Sequence, residues 1–315
     1  MADQNVWLVG AGEMGIEYAK VLKNLHNNFI TISRGETNAS KFEEATGSEV
    51  ITGGVEQFLK GEPEIPEFAI IAVDIENLAP VTTALMEYGV KKILLEKPGV
   101  GYPDEIDPLV KLCKDQSAKV YLAYNRRFYA SVRKAKMIIE EDEGVSSLVF
   151  EFTEWSHLIA TASKTKAEHH NWFIGNSTHV VDTAFYLAGK PIQLNALTDG
   201  GLDWHPSASV FAGSGKTDKG VLFSYHANWA APGRWWIEFL TKKHRLIFRP
   251  MEELKTQEIG SVEVRPVDID DEIDKKYKPG LFLQTKAFLE NNTDDLCDLQ
   301  EQKSAMVYYK KMGNY

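Results

Sequence analysis

Hydrophobic and polar positions divide this chain into two parts with different rhythms. Up to about residue 125, short apolar runs alternate with stretches at helical spacing. Val6-Trp7-Leu8-Val9 is an apolar run that ends at a glycine. Over residues 14–25, Ile16, Ala19, Val21, Leu22 and Leu25 recur on one helix face. Residues 29–33 and 50–52 are rich in strand formers, and residues 68–73 are continuously apolar, as in a strand buried on both faces. A helix over 78–88, a strand over 92–96, a helix over 104–114 and a strand over 120–124 follow. This alternation predicts an α/β, doubly wound parallel sheet with right-handed crossovers.

After residue 131 the rhythm changes. One helix is expected over 131–141. Residues 147–156 then alternate, with Leu148, Phe150 and Phe152 against Val149, Glu151 and Thr153. Residues 221–229, 235–240 and 244–249 are further strand candidates. No helical pattern separates them, so antiparallel pairing is expected. Residues 178–188 read as a helix ended by Gly189 and Pro191. Helices are expected over 281–289 and 299–312, and the Asp- and Lys-rich stretch 265–278 reads as a solvated loop. The organisation expected is therefore two domains, 1–125 and 126–315, the second an α+β domain.

Composition narrows the function. The 315 residues carry 35 Lys and Arg against 45 Asp and Glu, a net charge of −10. That balance argues against a nucleic-acid surface, which needs a basic stripe. Residues 1–5 are polar and lack a basic segment, so no signal peptide is expected. The apolar runs fall far short of the ~20 residues of a membrane helix, so no membrane partner is expected. Two cysteines, Cys113 and Cys297, suit thiols better than a disulfide framework, and the simplest location is the cytoplasm.

Gly10-Ala11-Gly12-Glu13-Met14-Gly15 follows a strand and opens a helix. In that context the pattern is a dinucleotide cradle. Gly10 permits the turn, Gly12 lets a pyrophosphate approach the backbone, and Gly15 allows close helix–strand packing. The helix start, with Glu13 and Met14, supplies free amides and the positive end of a dipole. The second strand ends Ile32-Ser33-Arg34-Gly35 without the carboxylate that takes a ribose hydroxyl in NAD sites. A hydroxyl beside an arginine suits a 2′-phosphate, which favours NADP. Alternatively Arg34 stacks on adenine, and Glu36 keeps NAD open.

The fifth strand runs into Glu96-Lys97-Pro98, which puts Lys97 at the carboxyl edge of the sheet, where ligands bind in such folds. The glycine turn, this Glu-Lys-Pro and Tyr124-Asn125-Arg126-Arg127-Phe128 together resemble the glucose–fructose oxidoreductase / inositol dehydrogenase / rhizopine catabolism (Gfo/Idh/MocA) family. The resemblance implies a Rossmann domain followed by an α+β domain with an open, mostly antiparallel sheet. It implies oxidation or reduction of a sugar, sugar nucleotide or cyclitol with NAD(P). It also implies a catalytic Lys97, a cis Lys97–Pro98 bond, cofactor contacts from Val73, Asp74 and Glu96, and a homo-oligomer, dimer or tetramer.

The family also carries a helical histidine, commonly D-x-x-x-H-x-x-D. Here Asn176-Ser177-Thr178-His179-Val180-Val181-Asp182 supplies the last part, but Gly175 stands where the first aspartate would be. On this reading Lys97 and His179 form the acid/base pair, Asp182 orients the imidazole, and Asn176 bonds the substrate. The family's T-P-x-x-x-H is also absent, replaced by Val73-Asp74-Ile75-Glu76-Asn77-Leu78. Asn125 and Arg126 are candidate substrate contacts. The arginine fork Arg126-Arg127 either grips a carboxylate or phosphate or pins the domains together. Trp155 and Trp172 offer aromatic faces to a sugar ring. His169, His170 and His179 fit no zinc spacing, so no metal is expected. Two other functions remain open on this fold: a catalytically silent dinucleotide sensor, and a glycosidase that uses NAD transiently.

Overall fold

The computed structural model describes residues 5–315. Residues 1–4, where the polar N-terminal stretch begins, lie outside the described residues. In chain order the first elements are β1 (Asn5–Val9), α1 (Glu13–Asn24), β2 (Asn28–Ile32), α2 (Glu36–Thr46), β3 (Val50–Ile51), α3 (Gly54–Leu59), β4 (Phe68–Ile71), α4 (Ile75–Tyr88), β5 (Lys92–Leu95), α5 (Ile106–Asp115) and β6 (Lys119–Leu122). They are followed by α6 (Ala130–Glu141), β7 (Ser147–Glu151), α7 (Ser156–Ile159), α8 (Lys166–His170), α9 (Thr178–Ala188), β8 (Pro191–Asp199), β9 (Val210–Thr217), β10 (Leu222–Asn228), β11 (Trp236–Leu240), β12 (His244–Phe248), β13 (Lys255–Glu258) and β14 (Arg265–Pro266). The chain closes with α10 (Glu272–Lys276), α11 (Leu281–Leu289), β15 (Cys297–Asp298) and α12 (Leu299–Gly313).

The chain forms two compact units, and their limits differ from a cut between 125 and 126 alone. Lys276–Ser304 joins the first unit, while Arg126–Lys275 and Ala305–Tyr315 form the second. The reason is apolar: α11 packs on α1, and Phe288 meets the ring of Phe68 edge-on at 5.2 Å.

In the first unit the sheet order is β15-β6-β5-β4-β1-β2-β3 among the described residues. All its pairs are parallel except β15 with β6. β4 is buried at every position and β5 at all but its first, as strands covered on both faces must be. The order reverses between β1 and β4, which makes a crevice at their carboxyl ends. This is the doubly wound Rossmann sheet that the βα alternation predicts.

The second unit holds the order β14-β13-β12-β11-β7-β10-β9-β8. Its pairs are antiparallel except β7 with β10, an exception to the pairing expected of adjacent strands. β7 buries alternate residues, and Phe150 meets Phe185 of α9 edge-on at 5.7 Å. β8 and β9 carry no clear strand signal. β8 is largely exposed, and β9 contains Gly213 and Gly215. Those glycines are structural: a Cβ on Gly215 would stand 2.0 Å from the Gln193 carbonyl oxygen. Residues 265–278, expected as loop, contain β14 and the single-turn α10, although most of them are exposed.

One interior side chain fixes the turn after β5. Gln302 of α12 is fully buried. Its amide nitrogen donates to the Pro98 carbonyl at 2.9 Å, and its oxygen accepts from the Tyr124 hydroxyl at 3.0 Å. Gln302→Leu removes both interactions from a dry site. A loss of about 1–3 kcal/mol is expected in urea unfolding, and an unchanged midpoint would show that these bonds do not hold the turn.

Candidate active site

Space sets the glycine turn. Gly10 has φ +119°, and a Cβ there would lie 2.0 Å from the Ala72 carbonyl oxygen. A Cβ on Gly15 would lie 2.0 Å from the Gly10 carbonyl oxygen. Both positions must therefore be glycine for α1 and the end of β4 to close on the turn. Gly12 differs, because no atom lies within 4 Å of where its Cβ would be. It is the N-cap of α1 in extended conformation, and no side chain caps the helix. The first-turn amides, at Glu13, Met14 and Gly15, thus keep the helix's positive end without a side-chain acceptor, next to open space. A dinucleotide's pyrophosphate fits that arrangement.

The end of β2 offers Ser33 and Arg34. The Ser33 backbone is tied to β3 and α3, donating to Ile51 and accepting from Gly54, each at 2.9 Å. Arg34 reaches from β2 to the start of α4, where it pairs with Asp74 at 3.0 Å and donates to Asn77 at 3.3 Å. It therefore bridges the ends of β2 and β4 across the end of β1. Asp74, expected at the cofactor, holds this guanidinium, and Val73 links it to β4. Both partners are mostly exposed, at 67% and 71%, so the pair contributes only ~0–1 kcal/mol. Little opposes transfer of Arg34 to a phosphate.

Glu96 and Lys97 follow β5, and the Lys97–Pro98 peptide is cis. Glu96 accepts from the buried Tyr18 hydroxyl at 2.8 Å. Gln284 of α11 also donates to that hydroxyl, at 3.4 Å. Burial raises the Glu96 pKa; the Tyr18 hydrogen bond and the charges of Lys97 and Lys278 oppose the rise without cancelling it. Burial and the Glu96 charge raise the Tyr18 pKa in turn. Asn125, expected at the substrate, is buried and gives its amide to the Pro279 carbonyl at 2.9 Å within the first unit.

In the second unit a π-helical turn, Phe173–Ser177, leads into α9. His179 is 7% exposed, and its ring centre lies 6.2 Å from that of Trp235. Asp182, read from sequence as the group that orients His179, receives both arms of Arg127, Nε at 2.8 Å and Nη2 at 2.6 Å. Arg127 is therefore the partner of a buried carboxylate inside this unit, which answers for that residue what the arginine fork holds. Asn176 donates to the buried Glu154 at 3.0 Å, as does the Ser177 hydroxyl at 2.7 Å. Burial raises the Glu154 pKa against these bonds and the Arg234 charge.

Trp155 is exposed and donates to the Gly233 carbonyl at 3.1 Å. It lines a cleft of about 590 Å³ with Glu154, His157, Trp229 and residues 230–233. Trp172 is edge-on to Trp204 at 6.0 Å, and Trp204 stacks on Trp229 of this wall at 5.6 Å. Sequence reasoning missed Tyr18, Glu154, Arg234 and the role of Trp235. No spacing links residue 18 to 96 or 154 to 234; only the folded sheets do. Among the described residues no cluster of His, Cys, Asp and Glu is arranged to hold a metal, and no helix is long and apolar enough to cross a membrane.

Known proteins share features of this chain. Residues 4–124 match the model of the GFO_IDH_MocA oxidoreductase family with the NAD-binding Rossmann fold. Over that stretch the chain is similar to the NAD-binding domain of that family, and its first unit has the Rossmann fold. No curated protein matches it in sequence. Solved structures share its fold over nearly the whole chain. UDP-N-acetylglucosamine 3-dehydrogenase GnnA from Acidithiobacillus ferrooxidans is 13% identical, with a TM-score of 0.77 and coverage of 100% of this chain and 98% of that one. An oxidoreductase from Agrobacterium radiobacter in complex with NAD+, L-tartaric acid and magnesium is 10% identical, with a TM-score of 0.79 and coverage of 98% and 95%. Levoglucosan dehydrogenase in complex with NADH and levoglucosan is 17% identical, with a TM-score of 0.77 and coverage of 99% and 96%.

The raised Glu96 pKa has a stability consequence. The folded state holds the Glu96 proton more tightly than the unfolded chain. Its contribution is therefore present at low pH and is lost as pH rises through the folded value. Glu96→Gln keeps an acceptor for Tyr18 and removes the buried charge. Its stability relative to wild type is expected to improve as pH rises above the ordinary carboxylate range and to level off above the folded value. A difference that stays flat with pH would show that Glu96 titrates as in water.

Proposed function

We propose that the protein transfers a hydride between nicotinamide and a secondary alcohol or ketone carbon of a sugar, sugar nucleotide or cyclitol. The observation that carries this reading is the uncapped α1 start at Gly12, held open by Gly10 and Gly15, in a stretch that matches an NAD-binding oxidoreductase family over residues 4–124. The names of structurally similar proteins, a UDP-N-acetylglucosamine dehydrogenase and a levoglucosan dehydrogenase, favour a carbohydrate substrate.

Hydride chemistry belongs to the nicotinamide when it is bound. The chain's own part is to bind, orient and move a proton. Gly10, Gly12 and Gly15 with the α1 amides hold the pyrophosphate. Ser33 and Arg34 take a 2′-phosphate, so NADP is the preferred cofactor and NAD the weaker one. In the oxidation direction the neutral Lys97 amine accepts a hydrogen bond from the carbinol hydroxyl and takes its proton as the carbonyl forms; in reduction the ammonium returns it. His179 is the second acid/base group, and Asn176 and Trp155 contribute to the hold on the sugar.

Two titrations and one variant test this. NADPH is expected to bind at least tenfold tighter than NADH, and Arg34→Ala to erase that difference. With a turned-over sugar, Lys97→Ala is expected to lower kcat by about 100-fold or more while cofactor affinity holds. Wild-type kcat in Lys97→Ala would remove Lys97 from the chemistry. Cofactor binding with no turnover of any sugar would instead support the silent sensor.

A further inference from the structure

Trp235 sits among cations. The guanidinium carbon of Arg126 lies 4.7 Å from its ring centre, and that of Arg234 lies 4.5 Å away. Arg234 is matched in charge, because its Nη1 bonds Glu154 at 3.2 Å. It also stacks at 4.6 Å on Trp155, a wall of the 590 Å³ cleft. Arg126 has no such match. Among the described residues it forms no ion pair and no side-chain hydrogen bond, and its Nε is buried with no acceptor. Its other close neighbour is the Tyr129 ring, at 5.6 Å.

A guanidinium carries five N–H donors in a planar fork. Burying part of that fork without an acceptor is unfavourable, and an oxyanion restores the balance with two parallel bonds. The guanidinium keeps its charge through its own basicity. Burial, with Arg234, holds the Arg126 pKa below its usual value, against the pull of Tyr129, Glu252 and Glu154. Glu154 bonds Ser177, Asn176 and Arg234 rather than Arg126. His179 shares Trp235 with Arg126, so an anion on this fork would sit near the imidazole assigned to the chemistry.

We propose that Arg126, seated on Trp235, binds a carboxylate or phosphate carried by the substrate, so that the sugar this enzyme oxidises or reduces is an acidic one. The inference deepens the dehydrogenase reading and rests on it for the word substrate. The aromatic cleft beside Trp155 is of the size of small-molecule sites and suits the sugar ring. Arg126 supplies the selection for charge.

Binding can be read without turnover, through intrinsic tryptophan fluorescence of the full chain. The probes are glucuronate, glucose 6-phosphate and glucose at matched ionic strength. A saturable change is expected with at least one acid, at least tenfold tighter than with glucose; which acid responds separates carboxylate from phosphate. Arg126→Gln is expected to weaken that acid at least tenfold. Arg126→Lys, which keeps the charge and loses the fork, should fall between. Should Arg126→Gln fail to fold, the lysine variant carries the test with a loss of threefold or more. Glucose binding as tightly as both acids, no saturable response to either acid, or acid affinity unchanged in the variants would overturn the inference. A cofactor that is never turned over would contradict the dehydrogenase reading alone, because the fluorescence result does not depend on hydride transfer.

Discussion

Everything in the first unit depends on a contact that leaves no room for a side chain. The Ala72 carbonyl fills the place where Gly10 would carry a Cβ, and the Gly10 carbonyl fills the same place at Gly15. These two approaches pull α1 against the switch point of the sheet and leave its first amides uncapped. The strands supply the platform, because β1, β4 and β5 are apolar enough to be buried on both faces. Lys97 follows directly from the end of β5, and its turn is tied down from α12 by Gln302. The site is thus a product of packing before it is a set of reactive groups.

Charge in this protein is informative only group by group. The net charge of −10 says nothing about ligand sign. Arg34 and Asp74 form an exposed pair that water screens, so Arg34 can change partners at little cost. Arg127 and Asp182 form a buried, two-bond pair that fixes α9 to the chain after β6. Losing one member of such a pair leaves an uncompensated buried charge, about 3–5 kcal/mol. Neighbouring arginines therefore do different work. Arg127 is satisfied inside the unit, while Arg126 offers a fork with no protein acceptor.

The Rossmann half was legible because its signals are local. The glycine spacing, the apolar runs and the Glu-Lys-Pro after β5 all lie within short windows. Helices α9 and α11 were legible to the residue for the same reason. What stayed hidden depends on distant contacts. The return of residues 276–304 to the first unit rests on Phe288 meeting Phe68. β9 was obscured by glycines whose purpose appears only beside Gln193 and Tyr225. The bond of Asp182 to Arg127 was hidden because that arginine lies 55 residues earlier in the chain. Glu154 gathers Asn176, Ser177 and Arg234 from three separate segments, and no one-dimensional pattern announces that convergence.

Gly12 gives the most direct test of the cradle. Its backbone is extended, and nothing lies within 4 Å of its absent Cβ, so a valine is compatible with the fold. The same valine would occupy the space a pyrophosphate needs. Calorimetric titration of Gly12→Val with NADPH and NADH should show a native-like thermal transition and at least a hundredfold loss of affinity for both. Wild-type affinity in a folded Gly12→Val protein would contradict the account, since the dinucleotide would then bind elsewhere.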